Sequence, residues 1–103
     1  MLALVDSGAQ VGISAVAWYE FSRGPRTPQQ LAVARSFFGP EGVASFSEAV
    51  AADAAEVFRS LGCPRTRGND IAIGVTAVHH GALLLTRNMR DFAGIPDLQL
   101  LQA

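Results

Sequence analysis

Between Arg67 and Arg87, with both histidines neutral, Asp70 is the only side chain charged at neutral pH. This apolar span is divided by Gly81, which closes a helix over 70–80 and releases a buried-type strand over 82–86. Asn69 stands where the cap of that helix belongs. A lone carboxylate opening such a helix is costly to bury without a partner. The strand runs out into a polar cluster, Thr86-Arg87-Asn88, followed by Asp91. Helix and strand together bring two carboxylates to one end of the unit, a layout that suggests a divalent-metal site and hydrolysis of phosphodiesters.

The rest of the chain repeats the alternation. Residues 1–5 are apolar and end at the turn signal Asp6-Ser7-Gly8, as a short strand or the last turn of a helix. A short strand is expected over 11–13, then a helix over 15–23 capped by Ser14 and stopped by Gly24-Pro25. Thr27-Pro28-Gln29-Gln30 is a capping box with proline at the first helical position, and that helix runs to about residue 38. A strand over 42–46 precedes a helix over 48–61, capped by Ser47, with Val50, Ala54, Val57, Phe58 and Leu61 at helical spacing. The loop 63–68 carries alternating arginines, and a final strand is expected over 98–101. Strands alternating with long helices predict an α/β domain with a mainly parallel central sheet, which binds ligands beyond the carboxyl ends of its strands. Thr86 to Asp91 lies at one such end.

The chain has 103 residues, half of them hydrophobic, which is enough for one domain with one core. A net charge of −1 gives no broad basic surface for duplex binding. All eight basic residues are arginine. Arg23, Arg26, Arg65, Arg67, Arg87 and Arg90 flank loops, where a forked guanidinium suits phosphate, although replacement of lysine throughout is also the mark of genome composition. Cys63 is alone, so no internal disulfide is expected and a reducing cytoplasm fits. No apolar run of about 18 residues is present, so no membrane span is expected. The N-terminus has no basic stretch of the kind that opens a signal peptide. No phosphate-binding loop, Cys-x-x-Cys pair or serine nucleophile motif appears.

Glu20 is a third candidate acid. It is the only charged residue between Ser7 and Ser22 and lies among Val16, Ala17, Trp18, Tyr19 and Phe21. It either takes the narrow solvent face of its helix or points into a polar pocket. Asp70 has the alternative role of an acidic residue favoured by the helix dipole. Asp91 has that of a solvated turn residue. If the acids converge, two carboxylates about 5 Å apart repel by roughly 3 kcal/mol at an effective dielectric of about 20. A divalent cation removes that penalty, and Mg²⁺ is typically held by few carboxylates with waters and phosphate oxygens. Thr86 and Asn88 are placed to hydrogen-bond the attacking water or a ligating carboxylate. His79 and His80 end their helix, where dipole or packing roles are usual.

Three segments resemble the PIN-domain family, in particular the VapC-type toxins of toxin–antitoxin pairs. They are Ile13-Ser14-Ala15-Val16 through Glu20-Phe21 and Gly24, then Asn69-Asp70-Ile71-Ala72-Ile73, then Leu84-Leu85-Thr86-Arg87-Asn88 with Asp91-Phe92 and Ile95-Pro96. The match spans about residues 11–103. The resemblance implies a three-layer PIN-like domain and a ribonuclease dependent on Mg²⁺ or Mn²⁺. Glu20, Asp70 and Asp91 would be its metal ligands, with Thr86 and Asn88 beside them. RNA would be the substrate, an antitoxin protein the inhibitor, and a homodimer the assembly.

The opening of the chain departs from the family, whose first strand ends in Asp-Thr or Asp-Ser and supplies another metal ligand. Leu2-Ala3-Leu4-Val5-Asp6-Ser7 looks like that strand, yet only residues 8–12 separate it from the next one. A parallel crossover needs at least about 10–12 residues, so Asp6 cannot hold the family position with normal topology. Residues 1–6 are therefore expected to finish a helix, leaving an N-terminally truncated domain without its first strand and aspartate. A hole in the core and impaired metal binding would follow. Two other functions stay open: a catalytically inactive PIN-like module that binds an antitoxin or itself, and an unrelated doubly wound domain whose acids are solvated.

Overall fold

The computed structural model of the chain describes residues 2–103. Five strands form one sheet: β1 (Ala3–Val5), β2 (Val11–Ser14), β3 (Val43–Ala44), β4 (Leu83–Thr86) and β5 (Leu100–Gln102), in the spatial order β3-β2-β1-β4-β5. Four helices accompany it: α1 (Ala15–Ser22), α2 (Pro28–Ser36), α3 (Glu48–Ser60) and α4 (Gly68–His79), with single 3₁₀ turns at Arg65–Arg67 and Met89–Phe92.

The α4–β4 unit is the centre of the molecule. Ile71, Ile73, Gly74, Val75, Thr76 and Ala77 of α4 are all buried, and Leu84 of β4 is completely enclosed. Ile13 of β2, Phe92 and Ile95 complete this core, with Val50 and Ala54 from the apolar stripe of α3. Thr76 is affordable there because its hydroxyl donates to the carbonyl of Ala72 at 2.7 Å. Helices α3 and α4 end alike. The N–H of Cys63 returns to the carbonyl of Phe58 and that of Gly62 to Arg59; the N–H of Ala82 returns to Ala77 and that of Gly81 to Val78. These are Schellman closures, and Gly62 (φ 86°) and Gly81 (φ 62°) supply the left-handed residue each requires.

Gly81 thus turns the chain back at once. Ten helical residues rise about 15 Å, and four strand residues recover about 13 Å. Thr86 therefore returns to the level of Asp70.

Helix starts follow the expected caps for α1, α2 and α3. The Oγ of Ser14 accepts from the N–H of Ala17, Thr27 and Gln30 exchange both bonds of a capping box, and Ser47 caps α3. Helix α4 differs. It continues directly from the turn Arg65–Arg67 with no side-chain cap, so Asn69 lies inside its first turn.

The N-terminal expectation is corrected. Residues 3–5 form a strand, not the end of a helix; Met1 lies outside the described residues. β1 occupies the middle of the sheet but runs against both neighbours, pairing Leu4 with Gly12 in β2 and with Leu84 in β4. The turn explains the direction. The Oδ1 of Asp6 accepts from the N–H groups of Gly8 and Gln10 at 2.9 Å each, the N–H of Ala9 reaches the Asp6 carbonyl, and Ala9 takes a left-handed φ of 61°. Five residues are too few for a crossover but enough for a hairpin. The expected hole is filled, because Leu4 is buried in the core. The sheet is accordingly mixed rather than mainly parallel: β2–β3 and β4–β5 are parallel pairs, and both pairings of β1 are antiparallel. Strands β2, β3, β4 and β5 still share one direction, so they present a common carboxyl end. Other bounds shift as well: α2 ends at Ser36, β3 covers only two residues, β5 starts at Leu100, and the remaining elements move by one or two residues.

Candidate carboxylate site

At that carboxyl end, Ser14 closes β2 and Thr86 closes β4, both buried. Their hydroxyls are already engaged. Ser14 caps α1, and Thr86 accepts the N–H of Asn88 at 3.0 Å. The Thr86 bond turns the chain outward into the 3₁₀ turn Met89–Phe92, whose Phe92 is buried as an anchor. Asp91 precedes that anchor and is half-buried, whereas Asn88 is exposed.

Asp70 stands in the first turn of α4, where the helix dipole favours a carboxylate. Its carboxyl is nevertheless pushed above the usual aspartate range. Partial burial is the largest cause, followed by the negative charges of Asp91 and Glu20; the Arg67 guanidinium acts in the opposite sense. Both other acids are therefore near enough to act on Asp70, and the structure draws Glu20, Asp70 and Asp91 toward one end of the sheet from α1, α4 and the turn after β4. Glu20 is half-buried on α1, neither fully solvated nor enclosed.

Two residues without an assigned part in the chemistry hold this cluster. The Nδ2 of Asn69 donates to the Oε2 of Glu20 at 3.1 Å, so Asn69 links α4 to α1 instead of capping its own helix. The Nε of Arg67 donates to the carbonyl of Asp91 at 3.1 Å and its Nη2 to the carbonyl of Ala93 at 2.6 Å. Nothing in the sequence announces either bond, because the partners lie 49 and 24–26 residues away.

Other arginines are also committed locally. Arg26 lies 3.8 Å from the Phe21 ring centre and donates to the Phe21 carbonyl, and Arg23 lies over Tyr19. Arg87 and Arg90 are exposed on either side of the turn that carries Asp91. Asp6 belongs to the opposite end of the sheet, because β1 is inverted. The place between the carboxyl ends of β2 and β4 is taken instead by the start of β1, where Leu2 and Ala3 bring no carboxylate.

The donor chemistry fits a hard divalent cation, since carboxylate oxygens crowded against like charge gain most from one. Among the described residues, no three His, Cys, Asp or Glu side chains are drawn tightly enough to grip one ion by themselves. An ion bound here would need water or phosphate oxygens to complete its coordination. The chain matches no known family model, and no curated protein matches it significantly. Among the described residues no helix is long and apolar enough to cross a membrane.

Proposed function

We propose that this chain is a PIN-like ribonuclease of the VapC type, three-layered in its architecture, that hydrolyses RNA phosphodiesters with Mg²⁺ or Mn²⁺ in the cytoplasm. The observation that carries the reading is the approach of Glu20 and Asp91 to Asp70 at the carboxyl ends of the strands. The raised proton affinity of Asp70, due first to partial burial and then to the charges of Asp91 and Glu20, supports it, because a cation would offset both. When bound, the metal would neutralise the carboxylates and polarise the phosphate and a water.

The remaining work falls to the chain. Asp70 would hold the metal together with Glu20 or Asp91, and the carboxylate left off the ion could take a proton from water. Thr86 shapes the turn through its bond from Asn88, leaving the Asn88 amide exposed to meet a phosphate or a ligating carboxylate. Arg87 and Arg90 flank the path of a polyanion. An antitoxin and a second copy of the chain are the partners this reading implies.

The alternative is a catalytically inactive PIN-like module that binds an antitoxin or itself. One observation favours it: the start of β1, which carries no carboxylate, fills the place where the resembling family has its first aspartate. The deciding experiment is cleavage of a mixed RNA substrate with Mn²⁺. The ribonuclease reading expects cleavage that EDTA abolishes and Asp70→Asn removes. Cleavage indifferent to Asp70→Asn would sink it, and Mn²⁺ uptake with no cleavage would favour the inactive module.

A further inference from the structure

We infer that Asn69 and Arg67, on either side of Asp70, are positioning residues that assemble the carboxylate site on the first turn of α4. The inference rests on the metal-dependent reading above. It starts from what the two residues bond and what they leave alone.

Glu20 sits on a different helix and has three side-chain torsions to restrain, an entropic cost if it must be ordered by the ligand alone. Asn69 meets part of that cost beforehand through its bond to Oε2. An amide is neutral, so it restrains the carboxylate without cancelling its charge. Among the described residues the other oxygen, Oε1, makes no hydrogen bond. An arginine or lysine in the same place would form an ion pair and compete with a cation.

Arg67 could do that to Asp91 and does not. Its two donors go to main-chain carbonyls, Asp91 and Ala93, and the Asp91 carboxylate is left free of it. The fork therefore fixes the backbone on which Asp91 rides. Lysine keeps the charge but lacks the planar fork needed to span two carbonyls. Glu20 and the Asp91 backbone are thus fastened to the start of α4 by bonds that form no ion pair with either carboxylate, as expected of groups that orient a metal's ligands, while the Arg67 charge acts on Asp70.

The test is calorimetric titration with Mn²⁺ alone, on the full chain. Asn69→Ala is expected to weaken Mn²⁺ binding about tenfold, the scale typical of lost outer partners, and to cause no further loss in a Glu20→Gln background. Arg67→Lys is expected to weaken it comparably while leaving the unfolding temperature near that of the parent. Unchanged affinity in Asn69→Ala, or losses that simply add with Glu20→Gln, would overturn the inference. If the parent takes up no Mn²⁺, the metal-dependent reading fails separately. The positioning bond is then judged by thermal unfolding of Asn69→Ala, Glu20→Gln and the double variant. Non-additive shifts support it and additive shifts overturn it.

Discussion

Asp6 and Asp70 are the same residue type at opposite ends of one sheet, and the fold treats them in opposite ways. Asp6 is exposed, and its carboxylate receives two backbone N–H groups that shape the hairpin turn. Its charge is used locally, by its own neighbours in sequence. Asp70 is half-buried, lies near Glu20 and Asp91, and is held above its ordinary proton affinity. Its charge is opposed by its surroundings. A carboxylate satisfied by its own turn organises structure, whereas one crowded by others is stabilised by something brought from outside.

The largest expected difference between the two ends is in activity. Asp70→Asn is expected to lower Mn²⁺-dependent RNA cleavage by two orders of magnitude or more (about 3 kcal/mol in the barrier), while Asp6→Asn leaves the rate unchanged. Equal losses in both would erase the distinction.

Stability separates the regions next. Leu84 of β4 is fully enclosed and Leu4 of β1 nearly so. Leu84→Ala is expected to cost about 3–5 kcal/mol and Leu4→Ala about 2–3 kcal/mol in urea unfolding. A Leu4→Ala cost near zero would show that β1 lies on the core without belonging to it. At the turn, Asp6→Ala removes the acceptor for two N–H groups and is expected to cost about 1 kcal/mol, again with no change in cleavage.

The subtlest effect is on pH dependence. Because folding raises the proton affinity of Asp70, the native chain binds more protons than the unfolded one above the ordinary aspartate range. Its stability therefore falls as pH rises through that range, beginning near about pH 4. Without metal, Asp70→Asn is expected to raise the unfolding temperature at pH 7. The gain should vanish as pH drops below about 4, where Asp70 is protonated and resembles asparagine. A gain that persists in acid would assign the effect to packing.

The two regions were not equally readable. The α4–β4 unit was legible because its signals are local: an uncharged run, a glycine at the reversal and a polar cluster at the exit. The stripe of α3 and the caps at Ser14, Thr27 and Ser47 were legible for the same reason. Residues 1–6 suggest a helix end only if the chain enters the sheet in the parallel sense. The shortness of residues 6–10 excludes a crossover but invites a hairpin, and three strand residues carry no period to reveal this. Asn69 has the sequence signature of a cap, because asparagine before an apolar helix usually is one. Its bond to Glu20 depends on how α1 docks beside α4, which no local pattern encodes. Asp70 and Asp91 are candidates from the helix–strand layout and Glu20 from its isolation among apolar residues, whereas the bonds of Asn69 and Arg67 have no local signal.

The central claim is that the carboxyl end of the sheet, and not the Asp6 turn, receives a divalent cation. It is tested most directly by adding substoichiometric Mn²⁺ to isotopically labelled protein and following the broadening of backbone amide signals. The account predicts broadening centred on Glu20, Asn69, Asp70 and Asp91, with residues 6–10 spared, and its loss in Asp70→Asn. Broadening centred on Asp6, or none at any residue, would contradict it.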